Sequence, residues 1–227
     1  PDEVFTTQYE VPKTDGTGNL RANLRTAKRM LEEAGWKVID NVLRNEETGE
    51  ALKIEVLLAQ ASWERIVNPM IANMKILGIE TAIRIVDSSQ YQNRIQDYDY
   101  DMIVGTRGQS HSPGNEQRNY WTSTSAEERG GSNLSGISDP VVDELVEKII
   151  TAPNRQELVA YTRALDRVLL WGHYVIPHWH TRSFRIIHWN MFGKPEKIAP
   201  YARSYYFLPD TWWYDSEKAA ILERETP

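Results

Sequence analysis

Two histidines one residue apart, His178 and His180 in YVIPHWH, have the spacing that most resembles a metal site. On a strand an i, i+2 pair points to one face, and a zinc ion needs ligands that converge in that way. His173 and His188 lie close by in sequence. A metal-dependent hydrolase would also need a third protein ligand and a base, and no H-E-x-x-H or comparable acid-histidine spacing is present. Lining a pocket or a core is therefore the expected role of these histidines. Cysteine is absent, which removes thiolate zinc sites, disulfides and a cysteine nucleophile. There is no G-x-S-x-G and no S-x-x-K, so serine acylation has no signature. The GTRG at Gly105–Gly108 lacks both the P-loop lysine and dinucleotide-binding glycine spacing. Asp97, Asp99 and Asp101 in QDYDYD could do acid-base work, but read better as solvated acids in a turn before a strand.

A different chemistry is written in SPGNEQRNYW, Ser112–Trp121, where amides, one acid, one arginine and two aromatics stand together without an aliphatic residue. Such a stretch is a solvated loop or a surface that grips a polar ligand. The chain has eight Trp and eleven Tyr, more than a core of this size needs, so a minority facing a cleft beside amides and charges would describe a small-molecule or peptide pocket.

The elements that must position these residues follow from periodicity. Leu24, Ala27, Leu31 and Ala34 mark one helical face that stops at Gly35. LKIEVLLA alternates as a strand, and Trp63 to Leu77 follows at helical spacing with Pro69 expected to kink it. IETAIRIVD alternates again, Ser88–Gln96 reads as a short polar helix, and DMIVG is a brief strand. This β-α-β-α-β order implies parallel strands with crossover helices, whose ligands sit beyond the carboxyl ends of the strands. The loops at Gln60, Asp87 and Thr106 share that edge. Asp139 with Pro140 opens a helix burying Val142, Leu145, Val146, Ile149 and Ile150. Asn154 with Glu157 opens another that buries Leu158, Tyr161, Leu165, Val168 and Leu169. YVIPHWH and FRIIHWN read as two strands joined by a turn at Thr181–Ser183, and an irregular aromatic tail begins at Met191.

A net charge of −6 and the lack of any five-residue basic run argue against nucleic acid or an anionic membrane as partner. No uninterrupted apolar stretch approaches the roughly 18–20 residues that span a bilayer. The first residues, PDEVFTTQYEVPKTDGTGNLR, carry neither an initiator Met nor the basic start and apolar run of a signal peptide, and read as a piece whose beginning lies elsewhere.

GNLRANLRTAKRMLEEAGW, IVNPMIANMKILGIETAIRIVDSSQYQNRIQDYDYDMIV, SPGNEQRNYW, NLSGISDPVVDELVEKI and RALDRVLLWGHYVIPHWH together resemble the C-terminal part of bacterial extracellular solute-binding proteins of family 5. Within the family they are most similar to the YejA-like branch, associated with uptake of oligopeptides and peptide-like compounds such as microcin C. The resemblance implies an α/β fold like that of type II periplasmic binding proteins, a mixed sheet on a β-α-β-α-β core, with two lobes closing about a hinge. Residues 18–190 would form the ligand-binding second lobe. Residues 1–17 would be a hinge-proximal segment of the first lobe, and the tail 191–227 would return to it.

By the same resemblance the protein would be the substrate-binding component of an ABC importer, without catalysis, cofactor or metal. It would capture an oligopeptide or peptide-like compound and deliver it to permease subunits. It would act in the periplasm, reached through an N-terminal signal absent from this chain, as a monomer once completed by its N-terminal lobe. The expected ligand contacts are Arg107, Gln109, Asn115, Glu116, Gln117, Trp121, Asn133, Trp179 and His180. Arg107 suits a ligand carboxylate, since a guanidinium can hold one bidentately, and Glu116 suits an ammonium. One departure stands out. Oligopeptide binders of this family often hold the peptide amino terminus with an aspartate after the third strand, and here that region reads GQSHSP, with Glu116 the nearest acid. The alternatives are a metal-dependent hydrolase using His178 and His180 and a ligand-free docking or sensor module.

Overall fold

Residues 2–109, 112–179, 185–197 and 211–225 are described by a computed structural model of the chain. After a single turn, α1 (Glu3–Thr6), comes α2 (Arg21–Glu33), built on the Leu24, Ala27, Leu31 stripe. It ends where Gly35 takes φ of +82°, as a helix-terminating glycine should. A hairpin follows that the apolar pattern alone did not reveal, β1 (Trp36–Ile39) and β2 (Val42–Asn45), paired antiparallel from Trp36↔Asn45 to Ile39↔Val42. Its signal was Asp40-Asn41. Both residues have positive φ, 50° and 65°, the requirement of the tight two-residue turn that matches strand twist.

The parallel core is as the periodicity anticipates. β3 (Lys53–Leu58) leads through a 3₁₀ turn at Ala61–Trp63 into α3 (Glu64–Ile76), then come β4 (Glu80–Ile85), α4 (Ser88–Gln96) and β5 (Met102–Ile103). α3 runs through Pro69 as one continuous helix; a single missing N–H is tolerated where packing on β3 holds the helix. α4 starts at Asp87, whose carboxylate accepts the Ser89 and Gln90 N–H groups at 2.9 Å each. The strand order is β4-β3-β5, with Lys53↔Glu80 to Leu58↔Ile85 on one side of β3 and Val56↔Met102, Leu57↔Ile103 on the other. Central position buries β3 on both faces, so Val56, Leu57 and Leu58 are at most 1% exposed, and its end reads as an apolar run.

Beyond the sheet lie α5 (Glu116–Trp121), α6 (Ser123–Glu127), α7 (Pro140–Ile150) and α8 (Arg155–Trp171). α7 and α8 enclose a second core of Ile137, Val142, Val146, Ile149 and Leu165. Both caps read from sequence are present: Asp139 accepts from Val141 N–H at 2.8 Å and Asn154 from Glu157 N–H at 3.0 Å. The strip before α2 lies against α8, where Arg167 donates to the carbonyls of Val4 and Thr7 and the Tyr9 ring meets Trp171 edge-on at 5.5 Å.

The chain divides into two compact units, residues 1–107 with 114–174, and residues 108–113 with 175–227. In the second, β6 (Phe192–Gly193) pairs antiparallel with β7 (Trp213–Tyr214), followed by α9 (Ser216–Glu225). Where they are described, the stretches YVIPHWH and FRIIHWN are not the strands expected of them: residues 174–179 and 185–189 carry no strand, and His180, the turn and Phe184 lie outside the described residues. A strand exists only through a ladder of bonds to a neighbouring strand, and the described residues of these segments belong to no sheet. Val175, Ile176 and Trp189 accordingly stand exposed.

Gly78 joins the hairpin to the parallel core. Its carbonyl accepts from Leu43 N–H at 2.7 Å, its φ is +80°, and a Cβ built there would stand 2.8 Å from that same nitrogen. Gly49 shares the conformation, φ +73°, but a Cβ would meet nothing. Urea unfolding should therefore separate the two: Gly49→Ala costs only the left-handed penalty, about 1–2 kcal/mol. Gly78→Ala adds about 1–3 kcal/mol of overpacking against rigid backbone. Equal midpoints for the two variants would refute the close approach.

Candidate functional site

β5 leaves the sheet at its carboxyl end, and four residues after Ile103 the chain reaches Arg107. This side chain is partly buried beneath α5 aromatics. Its guanidinium carbon lies 4.4 Å from the centre of the Trp121 ring and 5.7 Å from that of Tyr120, and Nη1 donates to the Tyr120 carbonyl at 3.2 Å. Burial pulls its pKa below the ordinary arginine value, with the Tyr120 and Tyr100 phenols opposing, and no acidic neighbour among the described residues acts on it. Arginine stays charged regardless.

The stretch without aliphatic residues is only partly a loop. From Glu116 it forms α5, and polar side chains do the packing that aliphatic ones would ordinarily do. Gln117, 3% exposed, accepts from Trp121 Nε1 at 2.9 Å one turn away, and Trp121 itself packs on the α7–α8 core. Arg118 meets Glu147 of α7 through two bonds of 2.6 Å. Past the helix end, Ser123 donates its N–H and Oγ–H to Asp143 of α7 at 2.8 and 2.7 Å. Gln117 and Trp121, expected to face ligand, are thus partly the mounting of the site.

Glu116 turns back on its own loop. Its two carboxylate oxygens accept the Gly114 N–H at 3.1 Å each, and Gln117 Nε2 donates to one of them at 3.3 Å. Asn115 is exposed ahead of α5, and its side chain makes no capping bond. Asn133 is a correction. It is 0% exposed, gives both amide hydrogens to the carbonyls of Thr122 and Ile137 at 3.0 and 2.8 Å, and accepts Ile137 N–H at 3.1 Å. Enclosed, with both amide hydrogens committed, it braces the segment behind α5. Gln109 and Trp179, both exposed, belong to the second unit, and His180 lies outside the described residues.

Sequence reasoning missed Tyr98 and Tyr100. The phenol of Tyr98 donates to the carbonyls of Ser125 and Glu128 at 3.2 and 3.0 Å, and that of Tyr100 to Leu134 at 2.8 Å. Burial pushes the Tyr100 pKa up to about 12. Their i, i+2 spacing in QDYDYD was the available signal. The acids that alternate with them are engaged: Asp97 pairs with Arg129 at 2.6 Å, Asp99 with Arg94 at 2.7 Å, and Asp101 accepts Glu55 N–H at 2.8 Å. Among the described residues no three potential metal ligands converge, and His178 is exposed. No described helix is long and apolar enough to cross a membrane.

An open groove of about 540 Å³ lies at the opposite, amino-terminal end of the sheet, lined by Lys53, Glu80 and Asp101 among others. Its Lys53 and Glu80 pair with each other at 3.2 Å, and its Glu55 pairs with Arg94 at 2.8 Å. The Arg107 loop is the better candidate because it joins an uncompensated cation to aromatic faces at the carboxyl edge.

The family of bacterial extracellular solute-binding proteins, family 5 Middle, matches residues 2–129. The chain is 43% identical over 213 residues to the probable peptide-binding protein YejA of Agrobacterium fabrum, covering 94% of this chain and 34% of that protein. To the peptidoglycan-binding protein YepA of the same organism it is 34% identical over 213 residues, again 94% of this chain and 34% of the other. It spans about a third of the length of the curated relatives it matches. Among solved structures, the oligopeptide-binding protein AppA of Bacillus subtilis, in complex with a nonapeptide, superimposes with a TM-score of 0.59 at 20% identity, covering 75% of this chain and 33% of that one. That likeness is one of fold, the type II periplasmic binding protein fold expected from sequence.

Asn133→Ala strands the Ile137 N–H and the Ile137 carbonyl, while the Thr122 carbonyl keeps the Ala126 N–H. At about 1–3 kcal/mol per buried group left without a partner, urea unfolding should register a loss of roughly 2–6 kcal/mol. Loss of ligand affinity without loss of stability would return Asn133 to the contact residues. Tyr100, whose pKa is raised in the folded state, contributes stability that is complete below about pH 10 and is lost as pH rises through about 12. The Tyr100→Phe variant should show a shallower alkaline loss of stability over that window than the parent; identical slopes would contradict the burial.

Proposed function

Because the chain belongs to the bacterial extracellular solute-binding proteins, family 5, we propose that it forms the ligand-binding lobe of an ABC importer's substrate-binding component. The ligands are oligopeptides or peptide-like compounds, taken up in the periplasm and passed to permease subunits, with no reaction catalysed. The names of the two relatives, peptide-binding and peptidoglycan-binding, support that ligand class. The observation that carries the reading is the Arg107 loop. It stands at the carboxyl edge of a parallel sheet, where α/β folds bind ligands, and offers a cation, aromatic faces and exposed Asn115.

On this reading the segments 1–17 and 191–227 run to the first lobe, and the exposed Val175, Ile176, Trp179, Trp189, Trp213 and Tyr214 are surfaces that the longer protein covers. Gln109, Trp179 and His180 keep their expected role as ligand contacts. Native mass spectrometry of the intact protein, purified without added ligand and then challenged with a peptide library, tests the proposal. A retained peptide-like mass, chemically unchanged on release, is expected. Asn115→Ala should weaken retention about tenfold, the equivalent of about 1.4 kcal/mol. A protein that retains no peptide from the library, or that returns it cleaved, defeats the reading.

A further inference from the structure

Resting on the binding-lobe reading, we propose that this lobe reads a negative group on its ligand, a carboxylate held by Arg107, and not the ligand's ammonium. Two charged side chains were candidates, and they are in opposite circumstances. The Glu116 carboxylate already takes the Gly114 N–H on both oxygens and the Gln117 amide on one, so it acts as the clasp of its own loop. Opening it to a cationic ligand would strand those donors.

Arg107 is the reverse case. Of its five N–H donors, the contact in place is a single bond to the Tyr120 carbonyl. Ion pairs hold several nearby arginines, Arg94 with Glu55 and Asp99, Arg118 with Glu147 and Arg129 with Asp97, and no ion pair of the described residues includes Arg107. The Trp121 and Tyr120 rings lie against the guanidinium, and Trp121 is held in turn by Gln117 and the α7–α8 core. A partly buried cation without a counter-ion is unfavourable, and an arriving carboxylate relieves that cost while gaining a charge-assisted fork of two hydrogen bonds. The orienting work is done before the ligand arrives, which is the condition under which such a contact adds affinity.

The carboxylate has two sources, the carboxyl terminus of a peptide or an acidic side chain. The test incubates intact protein with an equimolar mixture of random tetrapeptides prepared as free acids and as C-terminal amides, with and without one glutamate, and counts the retained species by mass spectrometry. Free acids enriched about tenfold over amides assign the terminal carboxylate to Arg107. Enrichment of glutamate-bearing peptides in both forms assigns a side-chain carboxylate. In either case the acid-to-neutral ratio must fall to about one in Arg107→Gln and return in part in Arg107→Lys, with near-UV circular dichroism confirming that both variants are folded. Peptides retained without preference for a carboxylate, or a ratio unchanged in Arg107→Gln, overturn this inference alone. Retention of no peptide at all overturns the binding reading and this one together.

Discussion

A strand buried on both faces has to be hydrogen-bonded along both edges, because water cannot reach its peptide groups. β3 meets that requirement with β4 on one side and β5 on the other, and the register it enforces, Val56↔Met102 and Leu57↔Ile103, fixes where the chain leaves the sheet toward Arg107. β5 is only two residues long, too short to hold itself in place. It is kept by β3 on one side and by Asp101, which takes the Glu55 N–H just before the paired residues begin. The position of the candidate site therefore descends from the burial of three aliphatic residues.

From that exit the site is built by side chains holding other side chains. Gln117 and Trp121, one helical turn apart, lock together. Trp121 is pinned on the α7–α8 core, and its other surface receives the Arg107 guanidinium. Charge elsewhere on this face is neutralised at short range, Arg118 by Glu147 and Arg129 by Asp97. Exposed pairs of that kind add little stability. Arg107 has no such acidic partner among the described residues, so its field is not cancelled in that way.

Periodicity made the parallel core, its helices and both caps legible, because period 2 and period 3.6 are direct consequences of burying one face. Three features were not legible, each for a physical reason. The β1–β2 hairpin depends on the backbone signs of Asp40 and Asn41, not on apolar spacing. α5 packs through polar residues such as Gln117, so a reading that equates packing with aliphatic content takes it for a loop. The strands anticipated at YVIPHWH and FRIIHWN have the right alternation but belong to no sheet where they are described, and pairing is not a local property. Within the site, residue type identified Arg107, Glu116 and Asn133 as polar groups of interest, but only their hydrogen-bond partners separate the committed Glu116 and Asn133 from Arg107.

Several of the bonds that shape this region share a habit: their acceptors are main-chain carbonyls. Tyr98 reaches Ser125 and Glu128, Tyr100 reaches Leu134, Asn133 reaches Thr122 and Ile137, and Arg107 reaches Tyr120. A carbonyl is present whichever amino acid occupies the position. The side chains at accepting positions such as Glu128 and Leu134 can therefore be exchanged while these bonds stay in place, so a lineage could retune what the lobe presents there by point substitution without first rebuilding its frame.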